Sequence, residues 1–383
     1  MKKSILHIIP SLMNGGAERL LVDVISRTSA VGFKHSVCVL RDPGVYGKEI
    51  VDSGHQLFSL ALTGKRPWFV AARRIARISK ETRADLLVSW LFDASISARL
   101  SILNGNRLPL LTTLHSTDYD PRTIEAGKWP PAKVEIRRQI DRITMRLTNP
   151  HFVACSNSVA ESYKLRLGVA QQRVSVIHNF VDSSEFDPTL EANEQLRESM
   201  KIPQGAFLFV NVGRLDVQKG QAKLIKAFSS IATFAKDACL LIVGDGPEEA
   251  TLRELARDLR LEDRVILAGR RDDIAACLSA ADVFVFPSLV EGFGIALIEA
   301  MIMRVPCITS NLAVFDEIVE DEVSALLVRD TSESALADQM KRIYLDSSLR
   351  ASIAMGGYNR AKNQFSSEVI VPKWNKLFLE VSR

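Results

Sequence analysis

No stretch of the 383 residues approaches the roughly 18 consecutive apolar positions that a membrane-spanning helix needs, so the chain does not cross a bilayer as a helix. Cysteine is scarce as well. The five present, Cys38, Cys155, Cys239, Cys277 and Cys307, are odd in number and scattered, are mostly flanked by apolar residues, and show no zinc-ligand spacing. That argues for reduced core thiols in a cytoplasmic protein rather than a disulfide scaffold. There is no low-complexity segment, no short repeat and no cluster of interleaved aromatic and basic residues, so nothing supports a solenoid or a nucleic-acid binder. The opening Lys2-Lys3 ahead of Ile5-Leu6-His7-Ile8-Ile9-Pro10 lacks a small-residue cleavage site and reads as a first β-strand, not a secretion signal.

What is present is an ordinary globular composition, 47% hydrophobic and 25% charged, too long for one core, so two domains are expected. The net charge of +4 conceals an imbalance: residues 1–180 hold 26 Lys/Arg against 14 Asp/Glu, and the remainder is acidic. A basic first half suggests an anionic partner. Within it, the segment from Lys133 to Leu147 places Ile136, Ile140, Ile143 and Leu147 on one helical stripe, with Arg138, Arg142 and Arg146 on another. Such a helix either lies on an acidic membrane surface or packs its apolar stripe into the core beneath a solvated basic face. The pattern leaves both open.

Apolar runs and helical patterns alternate along the chain. Strands are expected at 5–10, 35–40, 85–89, 110–114 and 151–155, with helices at 18–30, 47–53, 95–103 and 159–166. After a polar, acidic stretch at 182–198 containing Pro188, strands at 207–212, 239–243, 265–267 and 283–286 alternate with helices at 222–235, 248–259, 274–280 and 295–303. This is βαβ order, hence parallel sheets. The expected architecture is α/β, two doubly wound Rossmann-like domains over residues 1–181 and 182–363, facing each other across a cleft.

The most informative motif follows the last of those strands: Pro287-Ser288-Leu289-Val290-Glu291-Gly292-Phe293-Gly294, then a helix carrying Glu299. Glu291 stands in the loop at the helix mouth. Gly292 and Gly294 let the backbone approach a ligand, and Glu299, two turns on, leans back toward the same end because Cβ bonds tilt toward a helix N-terminus. Two carboxylate acceptors can then grip different parts of one hydroxyl-bearing ligand. Gly213-Arg214-Leu215-Asp216-Val217-Gln218-Lys219-Gly220, after the first strand of the second half, brings two cations to another helix mouth, a chemistry suited to a diphosphate. Gly244-Asp245-Gly246-Pro247 is assigned to turn geometry. In the first half, Asn14-Gly15-Gly16-Ala17-Glu18 pairs two glycines ahead of a helix but lacks the full Gly-x-Gly-x-x-Gly spacing of a nicotinamide site. His115 ends the run Leu110-Leu111-Thr112-Thr113-Leu114 and so sits at the carboxyl end of a strand. No Asp-x-Asp pair lies in the donor half to bridge a diphosphate through a metal, since Asp118-Tyr119-Asp120 falls outside it.

Together these residues resemble the retaining nucleotide-sugar glycosyltransferases of glycosyltransferase family 4, group 1, which have the GT-B fold. The likeness runs along nearly the whole chain. The resemblance implies that Arg214 and Lys219 bind the donor's diphosphate, that Glu291 contacts the transferred sugar, and that Glu299 holds the ribose hydroxyls. It implies too that Gly15 and Gly16 close over the donor, that His115 touches the donor sugar, that Arg271 lies near the base, and that residues 364–383 cross back onto the first domain, with Pro372 bending that segment. Gly292, Phe293 and Gly294 complete the implied donor site. One departure stands at the junction, where the family's Pro-Asn-Gly-Val-Asp is replaced by His178-Asn179-Phe180-Val181-Asp182.

The expected activity is transfer of a hexose-type unit, without a metal or other cofactor, from a nucleoside-diphosphate sugar, UDP favoured over GDP, to a saccharide or lipid-linked saccharide acceptor. Cell-surface polysaccharide or glycolipid synthesis at the cytoplasmic face of a membrane is the setting this suggests. The alternatives are a nucleotide-sugar epimerase or hydrolase on the same fold, or a non-catalytic membrane-associated protein that binds the nucleotide-sugar.

Overall fold

A computed structural model describes residues 2–13, 15–64, 68–127, 129–182, 185–186 and 194–383. Asn14 and most of the stretch expected to connect the halves, Pro188 included, lie outside the described residues. The chain forms two compact units. The first comprises Met1–Ile124, Trp129–Phe180 and Ser367–Arg383, and the second Val181–Ser366 together with Glu125–Lys128.

The first unit is built on seven parallel strands: β1 (Ser4–Ile9), β2 (Lys34–Val39), β3 (Gln56–Ser59), β4 (Leu86–Trp90), β5 (Leu110–Leu114), β6 (His151–Ala154) and β7 (Val174–Val176), in the order β3-β2-β1-β4-β5-β6-β7. The central strands β1, β4 and β5 are buried along their whole length, as parallel strands covered on both faces must be. One face is sealed by the helix Gly16–Ser29 and the helix Ser367–Val381, whose Ile370, Trp374, Leu377 and Phe378 join the core of β1 and β4. Truncating a side chain as enclosed as Phe378 costs about 3–5 kcal/mol. The last helix therefore belongs to the first unit, and it runs through Pro372 as one element. Phe365, two residues ahead of it, stays in the second unit, packed edge-on against Phe293.

The second unit holds six parallel strands: β8 (Phe207–Val212), β9 (Ala238–Val243), β10 (Val265–Leu267), β11 (Val283–Phe286), β12 (Cys307–Ser310) and β13 (Leu326–Val328), in the order β10-β9-β8-β11-β12-β13. Its first and last residues meet: Val181 N donates to Phe365 O at 3.1 Å, and Val181 and Ser366 form an isolated parallel bridge. The tail of the expected linker is a short helix, Glu194–Ser199, tied in by the buried Arg197, which donates to Ala206 O and Ala280 O and pairs with Asp282 at 3.0 Å.

The amphipathic helix Pro131–Thr148 has proline at its first position and a left-handed cap at Asn149. Its buried residues are Val134, Asp141, Thr144 and Met145. Ile136, Ile143 and Leu147 are 50%, 56% and 64% exposed. The alternative in which that apolar stripe packs into the core is thereby corrected: Ile136, Ile143 and Leu147 face outward, and the inward face sets Val134 and Met145 beside the polar Thr144 and Asp141, the latter ion-paired with the buried Arg99. All five cysteines are buried and unbridged.

Candidate active site

In each sheet the strand order reverses at one place, between β8 and β11 in the second unit and between β1 and β4 in the first. Open α/β sheets bind ligands outside the carboxyl ends of the strands at such a reversal.

In the second unit the loops after β8 and β11 are laced together there. Leu289 N donates to Gln218 O at 2.8 Å, and Gly220, left-handed with φ 70°, lies so close that a Cβ would stand 2.3 Å from Pro287 O. Only glycine fits that position. The lacing brings Lys219 Nζ into an ion pair with Glu291 Oε1, and Ser288 Oγ donates to the same oxygen at 3.1 Å. Glu291 keeps 9% of its side chain exposed and Lys219 26%, so the pair is a largely desolvated charge couple supported by a hydroxyl. Arg214, half exposed, stands 3.9 Å from Asp216, a loose contact that leaves its guanidinium fork available to an anion. Behind them, the 244–247 turn buttresses the loop: Leu215 N donates to Asp245 O at 2.8 Å, and a Cβ on Gly244 would meet Gly213 O at 2.0 Å.

Gly294, with φ 106°, opens the helix Ile295–Ile302, on which Glu299 sits half-buried in the second turn. Gly292 is buried, and the Phe293 ring is an anchor in the core, so what this tripeptide offers a ligand is backbone. Arg271 follows the edge strand β10 and is engaged in a two-pronged pair with Asp273 at 2.5 and 2.7 Å. No hydrogen bond or ion pair joins it to Lys219 or Glu291 among the described residues.

In the first unit, Gly15 caps the helix after β1, and the carboxylate of Glu18 folds back so that a Cβ on Gly15 would stand 2.3 Å from Glu18 Oε2. Burial raises the Glu18 pKa above its ordinary value. His115, at the end of β5, stacks on Trp90 at the end of β4, with centroids 5.3 Å apart. Desolvation pushes its pKa down to about 4, so the ring is neutral at pH 7. Thr113 Oγ1 donates to Ser89 O and therefore accepts from His115 Nε2–H at 2.8 Å. That fixes the tautomer and leaves Nδ1 as an acceptor for a substrate hydroxyl. Sequence reasoning missed Trp90, whose signal is an aromatic residue ending the strand at the reversal, and missed the pairing of Lys219 with Glu291, which nothing local announces.

These features define an α/β protein with a candidate ligand site at the strand reversal of each sheet, and similarity to known proteins narrows the class. Residues 14–185 match the Glycosyltransferase Family 4 domain, and residues 192–360 match Glycosyl transferases group 1. The chain belongs to the group 1 glycosyltransferases. It is 27% identical to N-acetyl-alpha-D-glucosaminyl L-malate synthase of Bacillus anthracis over 89% of this chain and 85% of the relative. It is 30% identical to the UDP-Gal:alpha-D-GlcNAc-diphosphoundecaprenol alpha-1,3-galactosyltransferase of Escherichia coli over 56% of each. The fold is that of a glycosyltransferase from Rickettsia africae (TM-score 0.83, 21% identity, 99% and 98% of the two chains) and of Anabaena HepE in complex with UDP and glucose (TM-score 0.85, 21% identity, 99% of each). This is the GT-B architecture.

Proposed function

We propose that the chain is a retaining, metal-independent glycosyltransferase that moves a hexose-type unit from a UDP-sugar to a saccharide or lipid-linked acceptor in surface-polysaccharide or glycolipid synthesis. The observation that carries this reading is the Lys219–Glu291 couple at the strand reversal of the second unit, flanked by the available Arg214. An arriving diphosphate competes with Glu291 for Lys219, and the carboxylate so released accepts from a sugar hydroxyl. Arg214, Lys219 and the amides at the start of the Ile295–Ile302 helix offset the charge that grows on the departing diphosphate. One preorganised donor of this kind is worth about 3–4 kcal/mol of barrier. With two cations on the diphosphate, no metal is needed to neutralise it. A sugar attacked from the face the leaving group vacates keeps its anomeric configuration, and the diphosphate takes the acceptor's proton. Glu299 holds the ribose, Gly15 and Gly16 close over the donor, His115 Nδ1 accepts from a donor hydroxyl, and Arg271 serves the base side after giving up Asp273.

Two relatives support this choice of donor and acceptor. HepE is bound to UDP and glucose, and the Escherichia coli relative uses a UDP-sugar with a lipid-linked acceptor. Exposed Ile136, Ile143 and Leu147, beside Arg138, Arg142 and Arg146, give the Pro131–Thr148 helix the composition of a surface that rests on an anionic membrane. No helix among the described residues is long and apolar enough to cross one. The test is a panel of UDP- and GDP-sugars, each with a chelator, with and without a lipid extract. Stabilisation by UDP-sugars and a glycosylated product only in the presence of extract is expected. Donor consumption without an acceptor would instead make the protein a hydrolase or epimerase. Sedimentation with vesicles containing phosphatidylglycerol checks the helix: binding is lost when Arg138, Arg142 and Arg146 are replaced by glutamine.

A further inference from the structure

A cavity of about 180 Å3 opens within the first unit at the carboxyl end of β5, with Arg99, Thr113, His115, Asp118, Arg137 and Tyr163 on its wall. It is smaller than the roughly 300 Å3 of an ordinary ligand pocket, so it takes one small group. Two arginines, Arg99 and Arg137, and two aspartates, Asp118 and Asp141, stand on that wall, but they are not paired one to one. Arg99, 1% exposed, is paired with Asp141, whose second oxygen accepts from Tyr119 Oη at 2.9 Å. Asp118 accepts from Ser116 Oγ. Arg137 lies one turn from Asp141 on the same inward face of the Pro131–Thr148 helix and is half-buried, yet no hydrogen bond or ion pair involves it among the described residues. What holds it is the ring of Phe92, whose centroid is 3.8 Å from the guanidinium carbon. An arginine held by its face keeps the in-plane N–H fork for a ligand, and a partly desolvated cation without an acceptor is costly unless one arrives. The Nε of Arg99 is a second buried donor with no partner. Leu91, also on the wall, holds the left-handed φ of 65°, a strain of order 1 kcal/mol that clusters at functional sites.

We propose that this cavity is a subsite for an anionic group of the acceptor, a carboxylate or a phosphate monoester, held through a two-pronged contact with Arg137. Tyr163 supplies a hydroxyl partner, and His115 lies on the same wall. The assignment to an acceptor rests on the transferase reading. The binding of an anion does not, which lets the two be tested apart.

The experiment is calorimetric titration of the whole chain, without donor, with glycerol 3-phosphate, with glycerate and with neutral glycerol, and in parallel with UDP. Wild-type protein is expected to bind at least one of the two anions and not glycerol, the preferred one telling phosphate from carboxylate. Arg137→Gln weakens that binding by at least about tenfold, as loss of a charged hydrogen bond requires, and Arg137→Lys by less. UDP affinity and the thermal midpoint stay unchanged in both. Failure of both anions to bind wild type, equal binding of glycerol, or undiminished binding to Arg137→Gln would overturn the proposal. Failure of UDP alone would count against the transferase reading and leave the anion site standing.

Discussion

Lowering the pH from 7 to 5 should weaken the first unit through two histidines that the sheet keeps neutral. Trp90 Nε1 donates to His7 Nδ1 at 3.1 Å, so His7 carries its proton on Nε2 and donates to His35 Nδ1 at 2.9 Å. His35 in turn donates from Nε2 to Thr28 Oγ1 at 2.9 Å, and Thr28 donates to Val24 O at 2.5 Å. Every link runs in one direction. A proton added to either ring would put two donors face to face inside a core where both residues are at most 1% exposed. Burial accordingly pushes the His35 pKa down to about 3, and burial with the neighbouring His35 and His55 holds His7 well below the usual value. The unfolded chain takes up these protons below about pH 6.5 and the folded chain does not, so the stabilisation is complete above that pH and is lost as pH falls toward the folded values. For His35 alone the loss between pH 7 and pH 5 is about 2 kcal/mol, a substantial part of a total of roughly 5–15, and His7 adds in the same direction. Tryptophan fluorescence reads this cleanly because Trp68, Trp90, Trp129 and Trp374 all belong to the first unit. Urea midpoints should drop by about 1 M or more over that range, and His35→Gln should flatten the slope by close to one proton. An unchanged midpoint, or the same slope in the variant, would refute the one-way chain.

Lys219→Ala should cut kcat by about 100- to 1000-fold and weaken UDP binding, whereas Glu291→Gln should keep UDP affinity and lose turnover; steady-state kinetics beside calorimetry separates the two. Gly220→Ala forces a Cβ against Pro287 O at a left-handed φ, so it should pull the two site loops apart, read as a lowered thermal midpoint with weakened donor affinity. Asp141→Asn leaves Arg99 buried without its counter-charge and should cost about 3–5 kcal/mol by urea unfolding, while Arg146→Gln at an exposed position of the same helix should cost less than about 1.

The strands that carry the site were legible because parallel strands covered on both faces must be short continuous apolar runs. Leu110–Leu114, Phe207–Val212, Val265–Leu267 and Val283–Phe286 form over the same residues that the sequence marks. Gln56–Ser59 escaped, being an edge strand with both end residues exposed and no apolar run to announce it. The orientation of the Pro131–Thr148 helix escaped for a different reason. Periodicity reports that two faces differ, but here the inward face carries the buried Asp141–Arg99 ion pair beside Val134 and Met145. The approach of Lys219 to Glu291 spans 72 residues of sequence and depends on β8 and β11 being neighbours, which only the order of the sheet decides. Arg137 was invisible as a site residue because what singles it out is that no hydrogen bond or ion pair involves it among the described residues.

The excursion of the chain into the second unit and back has a consequence for synthesis. The first unit's core needs Ile370, Trp374, Leu377 and Phe378, which are translated only after the whole of Val181–Ser366. The second unit, begun and closed at the Val181–Ser366 bridge, has nearly all of its own chain by then. On a ribosome the later-encoded unit is therefore positioned to mature first, while the earlier one waits with the part of β1 and β4 that the last helix covers still open. That exposed sheet face is where a chaperone would have to act.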